Sequence, residues 1–179
     1  AVGPDVEIRV DANGAWTAAE AVREIRRLER YDLGWVEQPV TEDDLDGFEM
    51  VRRSVGVPLC IDQGAQTNPI AYRAIGRRLA DVVCLDVHRM GGMLPMREMA
   101  AMARQAHMQV CRHAGPEYGV SVMAHLHLLA TIPNLTTGNQ VTRYVYGTTL
   151  SNSAIARSDL LRAEIYPDSN DTADPLGNG

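Results

Sequence analysis

Five ionisable side chains recur along the chain at nearly equal intervals, and each closes a short apolar segment. The five are Asp11, Glu37, Asp62, Asp86 and His113. A regular period of this length suits a β-strand followed by an α-helix. Because parallel strands of a (β/α) barrel end on one rim, we expect the five side chains to share one site. A single aspartate after a strand is commonly only a helix cap or turn residue, but five in phase favour a site.

The first three of these side chains are carboxylates: Asp11, Glu37 and Asp62. Held close together, like charges repel and raise one another's pKa. A divalent cation removes that cost, and ligands that are all oxygen select a hard metal such as Mg²⁺. No cysteine or histidine occupies these three positions, which disfavours zinc.

The last two side chains, Asp86 and His113, are expected on neighbouring strands. A carboxylate beside an imidazole fixes its tautomer and raises its basicity, so His113 is a candidate general acid/base oriented by Asp86. A purely structural hydrogen bond between the two is the alternative. All 17 basic residues are arginine, which excludes a lysine base or a Schiff-base lysine within these residues.

The elements that would position these groups alternate between short β-rich segments and amphipathic segments. Such βα repeats predict a (β/α)-barrel (TIM-type) domain with parallel strands and outer helices, apparently partial, over residues 1–140. Residues 141–179 are rich in Gly, Ser, Asn and Asp and predict a loop-rich extension with one short strand near 161–166. The predicted strands are 7–11, 34–37, 58–62, 81–86 and 109–113, with a further short one at 135–137, and the predicted helices are 17–30, 43–55, 69–79, 94–107 and 120–132.

Composition narrows the class of protein. The 179 residues are 45% hydrophobic and 22% charged with a net charge of −6, which is typical of a globular domain and gives no basic footprint for nucleic acid or an anionic membrane. No apolar run approaches the length that spans a bilayer. The three cysteines form no Cys-x-x-Cys motif and are expected to be buried thiols of a cytoplasmic protein.

The motifs around these residues resemble the C-terminal barrel domain of the enolase superfamily, in its mandelate racemase-like and acid-sugar dehydratase-like subgroup. The likeness covers about residues 6–140. It is carried by the order and spacing of Asp11-Ala12-Asn13 with Trp16, Trp35-Val36-Glu37-Gln38-Pro39, Ile61-Asp62, Asp86 with Arg89 and Gly91-Gly92, and His113.

The resemblance implies a chemistry. Asp11, Glu37 and Asp62 would bind Mg²⁺, which would hold a substrate carboxylate. His113, oriented by Asp86, would remove the proton α to that carboxylate, and the metal would stabilise the enediolate, as the superfamily is known to do. In dehydratases the same histidine can help the β-hydroxyl to leave. We therefore expect a lyase acting on an acid sugar, with a racemase or epimerase of a hydroxy or amino acid as the alternative and an inactive barrel fragment as a third possibility.

Departures from the family pattern also carry expectations. Gln63 follows the third ligand where a glutamate is common, and Gln140 is the nearest match to a glutamate of the last strand. Asp86 stands where another subgroup has lysine, which favours histidine–aspartate chemistry. Whole members carry a capping domain and two strands before the first ligand, including a second acid/base residue. The ten residues before Asp11 are too few to hold them, so either this front part lies outside this sequence or the barrel is incomplete and inactive alone.

Further candidates follow from position along the predicted strands. Asn13, His88 and Glu117 lie just after strand ends and are candidate substrate contacts, as is Gln140 from the resemblance. His125 and His127 lie within an apolar helix and are expected to pack in the core. Exposed strand edges of a partial barrel predict a homo-oligomer.

Overall fold

Five parallel strands form the sheet of the first of two compact units, Ala1–Thr136 and Thr137–Gly179. The computed structural model describes residues 7–113, 119–136, 143–146 and 161–165. The strands lie side by side in chain order, and each pairs in parallel with the next. They are β1 (Arg9–Asp11), β2 (Trp35–Glu37), β3 (Leu59–Ile61), β4 (Val82–Leu85) and β5 (Gln109–Arg112). The predicted strands are thereby confirmed, each slightly shorter than expected.

A sixth strand position follows β5. Leu135 forms a parallel bridge with Val110, and the Thr136 amide donates to the Val110 carbonyl over 2.9 Å. The short strand predicted at 135–137 is therefore present as a single bridge over its described residues.

Helices connect successive strands, as the βα period predicts. They are α1 (Ala18–Leu28), α2 (Leu45–Ser54), α3 (Asn68–Gly76), α4 (Met93–Gln105) and α5 (Val120–Leu129), with short 3-10 turns at Glu29–Tyr31 and Gln63–Ala65. The expected capping box starts α1: the Thr17 hydroxyl accepts from the Glu20 amide, and Glu20 accepts from the Thr17 amide over 3.0 Å. None of the described helices combines the length and the apolar composition that a membrane span requires.

The two faces of the sheet are buried in different surroundings. The helix-facing side packs alternate strand residues such as Val36, Ile61 and Val83 into a large core beneath the helices. The opposite side forms a separate cluster of Trp35, Val82 and the three thiols Cys60, Cys84 and Cys111. Because strand side chains alternate between faces, the residues that end the strands on this second side project toward one rim.

The second unit contains a two-stranded antiparallel pair. Strand β6 (Arg143–Tyr146) pairs with β7 (Leu161–Ile165). The short strand predicted near 161–166 is confirmed, whereas β6 falls in a stretch that we expected to be loop.

Candidate active site

Asp11 and Glu37 end two adjacent strands and lie directly opposite each other in the β1–β2 register. Asn13 folds back onto Asp11, because its backbone amide donates to Asp11 Oδ1 over 2.7 Å and its side-chain amide to Oδ2 over 3.4 Å. Gln63 then donates to Asn13 Oδ1 over 2.9 Å. Asn13 therefore links the first carboxylate to the loop after the third.

Glu37 carries the strongest electrostatic signal on this rim. Burial raises the pKa of its carboxyl to about 7. The neighbouring Cys111, Asp11 and Asp62 act on that pKa in the same direction. Like charges brought together without a counter-ion disfavour ionisation, so Glu37 is the carboxylate whose charge a cation would relieve most.

Asp62 is only 1% exposed, and its position depends on Gln38. The Gln38 side-chain oxygen accepts from the Asp62 amide over 2.9 Å and from the Gly64 amide over 3.2 Å. The Gln38 side-chain nitrogen donates to the Val40 carbonyl over 2.8 Å. The buried side-chain amide of Gln38 therefore connects the end of β2 to the turn after β3. The Gln38 backbone has a φ of 34°. The sequence analysis assigned no role to Gln38, although the Glu37-Gln38-Pro39 motif contained the signal.

His113 contacts Asp62 rather than Asp86. Its Nδ1 lies 3.0 Å from Asp62 Oδ1. In barrels, the side chains of one interior layer come from alternate strands. The same two strands, β3 and β5, already meet in this way two residues earlier, where the Cys60 and Cys111 sulfurs lie 3.7 Å apart. Two residues further along the same strands, Asp62 and His113 meet. The side chain at the end of β5 therefore pairs with the one at the end of β3, and not with the one at the end of the neighbouring strand β4, as we expected.

Asp86 is held by the turn that follows it. Its Oδ1 accepts from the His88 amide over 2.8 Å and lies 3.2 Å from His88 Nδ1, while Oδ2 lies 3.7 Å from Arg89 Nε. Burial works to raise the pKa of Asp86, but the hydrogen bonds from His88 and the charge of His113 outweigh it and lower that pKa. Asp86 thus faces His88 directly and influences His113 through charge. The expectation that Asp86 directly orients His113 is corrected on this point.

Among the described residues there are two groups of three side chains that could bind a metal ion. Within each group, the potential ligand atoms lie within 4.8 Å of one another. The groups are Asp62 with Cys84 and His113, and Asp86 with His88 and His125. Asp11 and Glu37 belong to neither group, so the three carboxylates do not converge that closely. Their donor set still fits a hard cation, because it is all oxygen and because the charges of Asp11 and Asp62 help to raise the pKa of Glu37.

Some of the remaining candidate residues lie at the rim, and others do not. His88 lies at the rim with its side chain 55% exposed, and Asn13 lies beside Asp11. His125 is buried, as expected, whereas His127 is exposed and the packing role predicted for it is wrong. Glu117 and Gln140 lie outside the described residues.

Comparisons with known proteins identify a family and relatives for this chain. The model of the family described as Enolase C-terminal domain-like matches residues 1–166. The o-succinylbenzoate synthase of Thermobifida fusca is 36% identical over 135 residues, which are 75% of this chain and 41% of that protein. The arabinonate dehydratase of Saccharolobus solfataricus is 32% identical over 131 residues, which are 73% of this chain and 35% of that protein.

A solved structure shares the fold. The crystal structure of a dipeptide epimerase from Enterococcus faecalis V583, complexed with Mg and the dipeptide L-Leu-L-Tyr, is similar with a TM-score of 0.72 and 29% identity over 75% of this chain and 38% of that one. The structural neighbours of this chain are barrel proteins of the enolase superfamily, and this similarity confirms the predicted (β/α)-barrel architecture. The chain spans less than half the length of each of these three proteins.

Proposed function

Because the chain belongs to the Enolase C-terminal domain-like family, whose relatives are enzymes of the enolase superfamily, we propose that its site removes the proton α to a substrate carboxylate. Asp11, Glu37 and Asp62 are the proposed ligands of Mg²⁺. Bound Mg²⁺ would hold the substrate carboxylate and stabilise the negative charge that develops on it. The observation that carries the proposal is geometric: Asp11 lies opposite Glu37 at the ends of adjacent strands, and the His113 imidazole lies 3.0 Å from Asp62. The raised pKa of Glu37 supports it.

His113 is the proposed acid/base. If its Nδ1–H donates to Asp62, the other ring nitrogen, Nε2, is the one that accepts a proton. The charge of Asp86, which interacts with His113, would stabilise the imidazolium that forms. Asn13, His88, Glu117 and Gln140 remain proposed substrate contacts.

Dehydration of an acid sugar is the reaction that we favour. The α-proton passes to His113 Nε2, the bond between the β-carbon and its hydroxyl breaks, and the same imidazole returns a proton so that water leaves. The absence of lysine and the similarity to an arabinonate dehydratase support this choice. Racemisation or epimerisation is the second candidate, supported by the similarity to a dipeptide epimerase, and it requires a second base on the opposite face of the substrate.

The test follows hydrogen exchange in D₂O. The protein is mixed with Mg²⁺ and a panel of acid sugars and dipeptides, and deuterium uptake at the α-carbon is measured by NMR. Uptake with loss of water identifies a dehydratase, and uptake with inversion identifies an epimerase. The absence of uptake with every substrate would favour an inactive fragment and refute the proposal.

Two substitutions assign the roles. His113→Asn should lower exchange by about 10²–10⁴-fold and weaken Mg²⁺ binding less than Asp62→Asn does, because His113 contacts the proposed ligand Asp62 without being a ligand itself. His127→Asn, on an exposed residue of α5, serves as the matched control. Asp62→Asn should weaken Mg²⁺ binding measured by calorimetry. Full activity of His113→Asn would exclude His113 as the base, and unchanged affinity of Asp62→Asn would remove Asp62 from the ligand set.

A further inference from the structure

Three side chains at the rim form a continuous carboxylate–imidazole–hydroxyl series that the proposed reaction does not use as a unit. Asp86 Oδ1 lies 3.2 Å from His88 Nδ1, and His88 Nε2 lies 3.1 Å from the Ser121 hydroxyl oxygen. The two contacts engage the two different nitrogens of one ring. Serine nucleophiles on several unrelated folds are activated by this arrangement, in which a carboxylate orients a base and the same base contacts the serine hydroxyl.

The fold holds the imidazole of this series from more than one side. Asp86 is buried and also accepts from the His88 backbone amide over 2.8 Å, which fixes the carboxylate relative to the ring. The ring of His125, from α5, packs edge-on against His88 with 5.3 Å between centroids and 72° between planes. Because the His88 side chain remains 55% exposed, a ligand in solution can reach it.

Ser121 occupies a favourable place for a nucleophile. It is the second residue of α5, and among the described residues no side chain caps the start of that helix. The amides of a first helical turn have no acceptor within the helix, and the helix dipole favours negative charge there. An oxyanion that develops on a carbonyl attacked by Ser121 would therefore form beside a positive helix end.

We propose that Ser121, activated by His88 and Asp86, is a nucleophile that takes acyl groups from activated carboxylic esters. The Ser121 oxygen bonds to the ester carbonyl carbon while its proton passes to His88 Nε2. The bond from that carbon to the alcohol oxygen then breaks, and the alcohol leaves with the proton. Water releases the acyl group by the same steps, so the net reaction is ester hydrolysis.

Labelling of the unaltered 179-residue chain tests the proposal directly. The protein is incubated with p-nitrophenyl acetate, and separately with a fluorophosphonate probe, in the presence of EDTA. Intact mass and peptide mapping then give the number and position of the adducts. We expect one adduct, on Ser121, and release of p-nitrophenol. Adducts spread over other residues, or none, would overturn the proposal without requiring any variant to fold.

Variants test the roles within the series. Ser121→Ala should abolish the adduct, and His88→Gln should slow its formation by about 10²–10⁴-fold. Ser54→Ala and His127→Gln are matched controls, since Ser54 donates to the Met50 carbonyl and His127 is exposed. Unchanged p-nitrophenol release by Ser121→Ala would refute the assignment. The D₂O exchange reaction requires Mg²⁺ and should persist in Ser121→Ala, so failure of one activity is distinguishable from failure of the other.

Discussion

Replacement of Glu37 by glutamine should stabilise the metal-free chain above neutral pH while it removes a proposed metal ligand. The pKa of Glu37 is raised from 4.5 to about 7 by burial first and by neighbouring groups second. Since the raised pKa belongs to the folded state, ionisation of Glu37 destabilises that state. The cost is absent below pH 4.5, grows as the pH rises toward 7, and is complete above it.

The size of the effect follows from the shift. At about 1.4 kcal/mol per pKa unit, the difference corresponds to about 3 kcal/mol, which is an upper bound because Glu37 is partly exposed and solvent screens its charge. Glutamine keeps the shape of the side chain without the charge. With a urea slope of roughly 2 kcal/mol per molar, the unfolding midpoint of Glu37→Gln should rise at pH 8 by an amount that does not exceed about 1.5 M.

Urea unfolding monitored by circular dichroism, at pH 8 and pH 5 with EDTA or Mg²⁺, checks this reasoning. The gain from Glu37→Gln should fall at pH 5 to roughly a quarter of its value at pH 8. Glu42→Gln, on an exposed residue, should change stability by less than about 0.5 kcal/mol. Mg²⁺ at about 100 times its dissociation constant should stabilise the parent by about 2.7 kcal/mol and the Glu37→Gln variant much less. An equal midpoint for parent and variant at pH 8 in EDTA would refute the electrostatic argument.

Four shorter predictions concern the surrounding structure. Mg²⁺ affinity measured by calorimetry should fall as the pH drops through 7, because Glu37 must lose its proton to bind the ion; a flat profile would contradict this. Gln38→Ala should lower the free energy of unfolding by about 3 kcal/mol, since it strips partners from buried backbone groups; a loss below about 1 kcal/mol would show that the bridge to Asp62 is dispensable. Thr17→Ala should cost about 1 kcal/mol of helix capping, and Thr17→Ser should restore most of it. Asp81→Ala should cost about 1–2 kcal/mol, because Asp81 accepts from the Leu59 amide over 3.0 Å and pairs with Arg52 over 2.6 Å; urea midpoints measure the stability of all four variants.

Much of the barrel follows from local pattern. The nearly constant interval between Asp11, Glu37 and Asp62 reflects the length of one strand, one helix and their loops, so it predicts strand order and the shared rim. The capping box of Thr17 and Glu20 joins residues one helical turn apart and is equally visible in the sequence. The β6 strand was missed because its four residues lie in a stretch rich in Gly, Ser, Asn and Thr. Its pairing partner, β7, lies further along the chain.

The amino-acid sequence by itself determined which ionisable groups end the strands and that they share one edge of the sheet. Only the tertiary structure decided which of them touch. His113 meets Asp62 because interior side chains form layers across alternate strands, whereas sequence order indicates only which strands are neighbours. Asp86 instead meets His88 within the turn that follows β4. The Gln38 bridge and the contact between His88 and Ser121 join residues 24 and 33 positions apart, and local sequence pattern does not indicate which of such distant side chains meet.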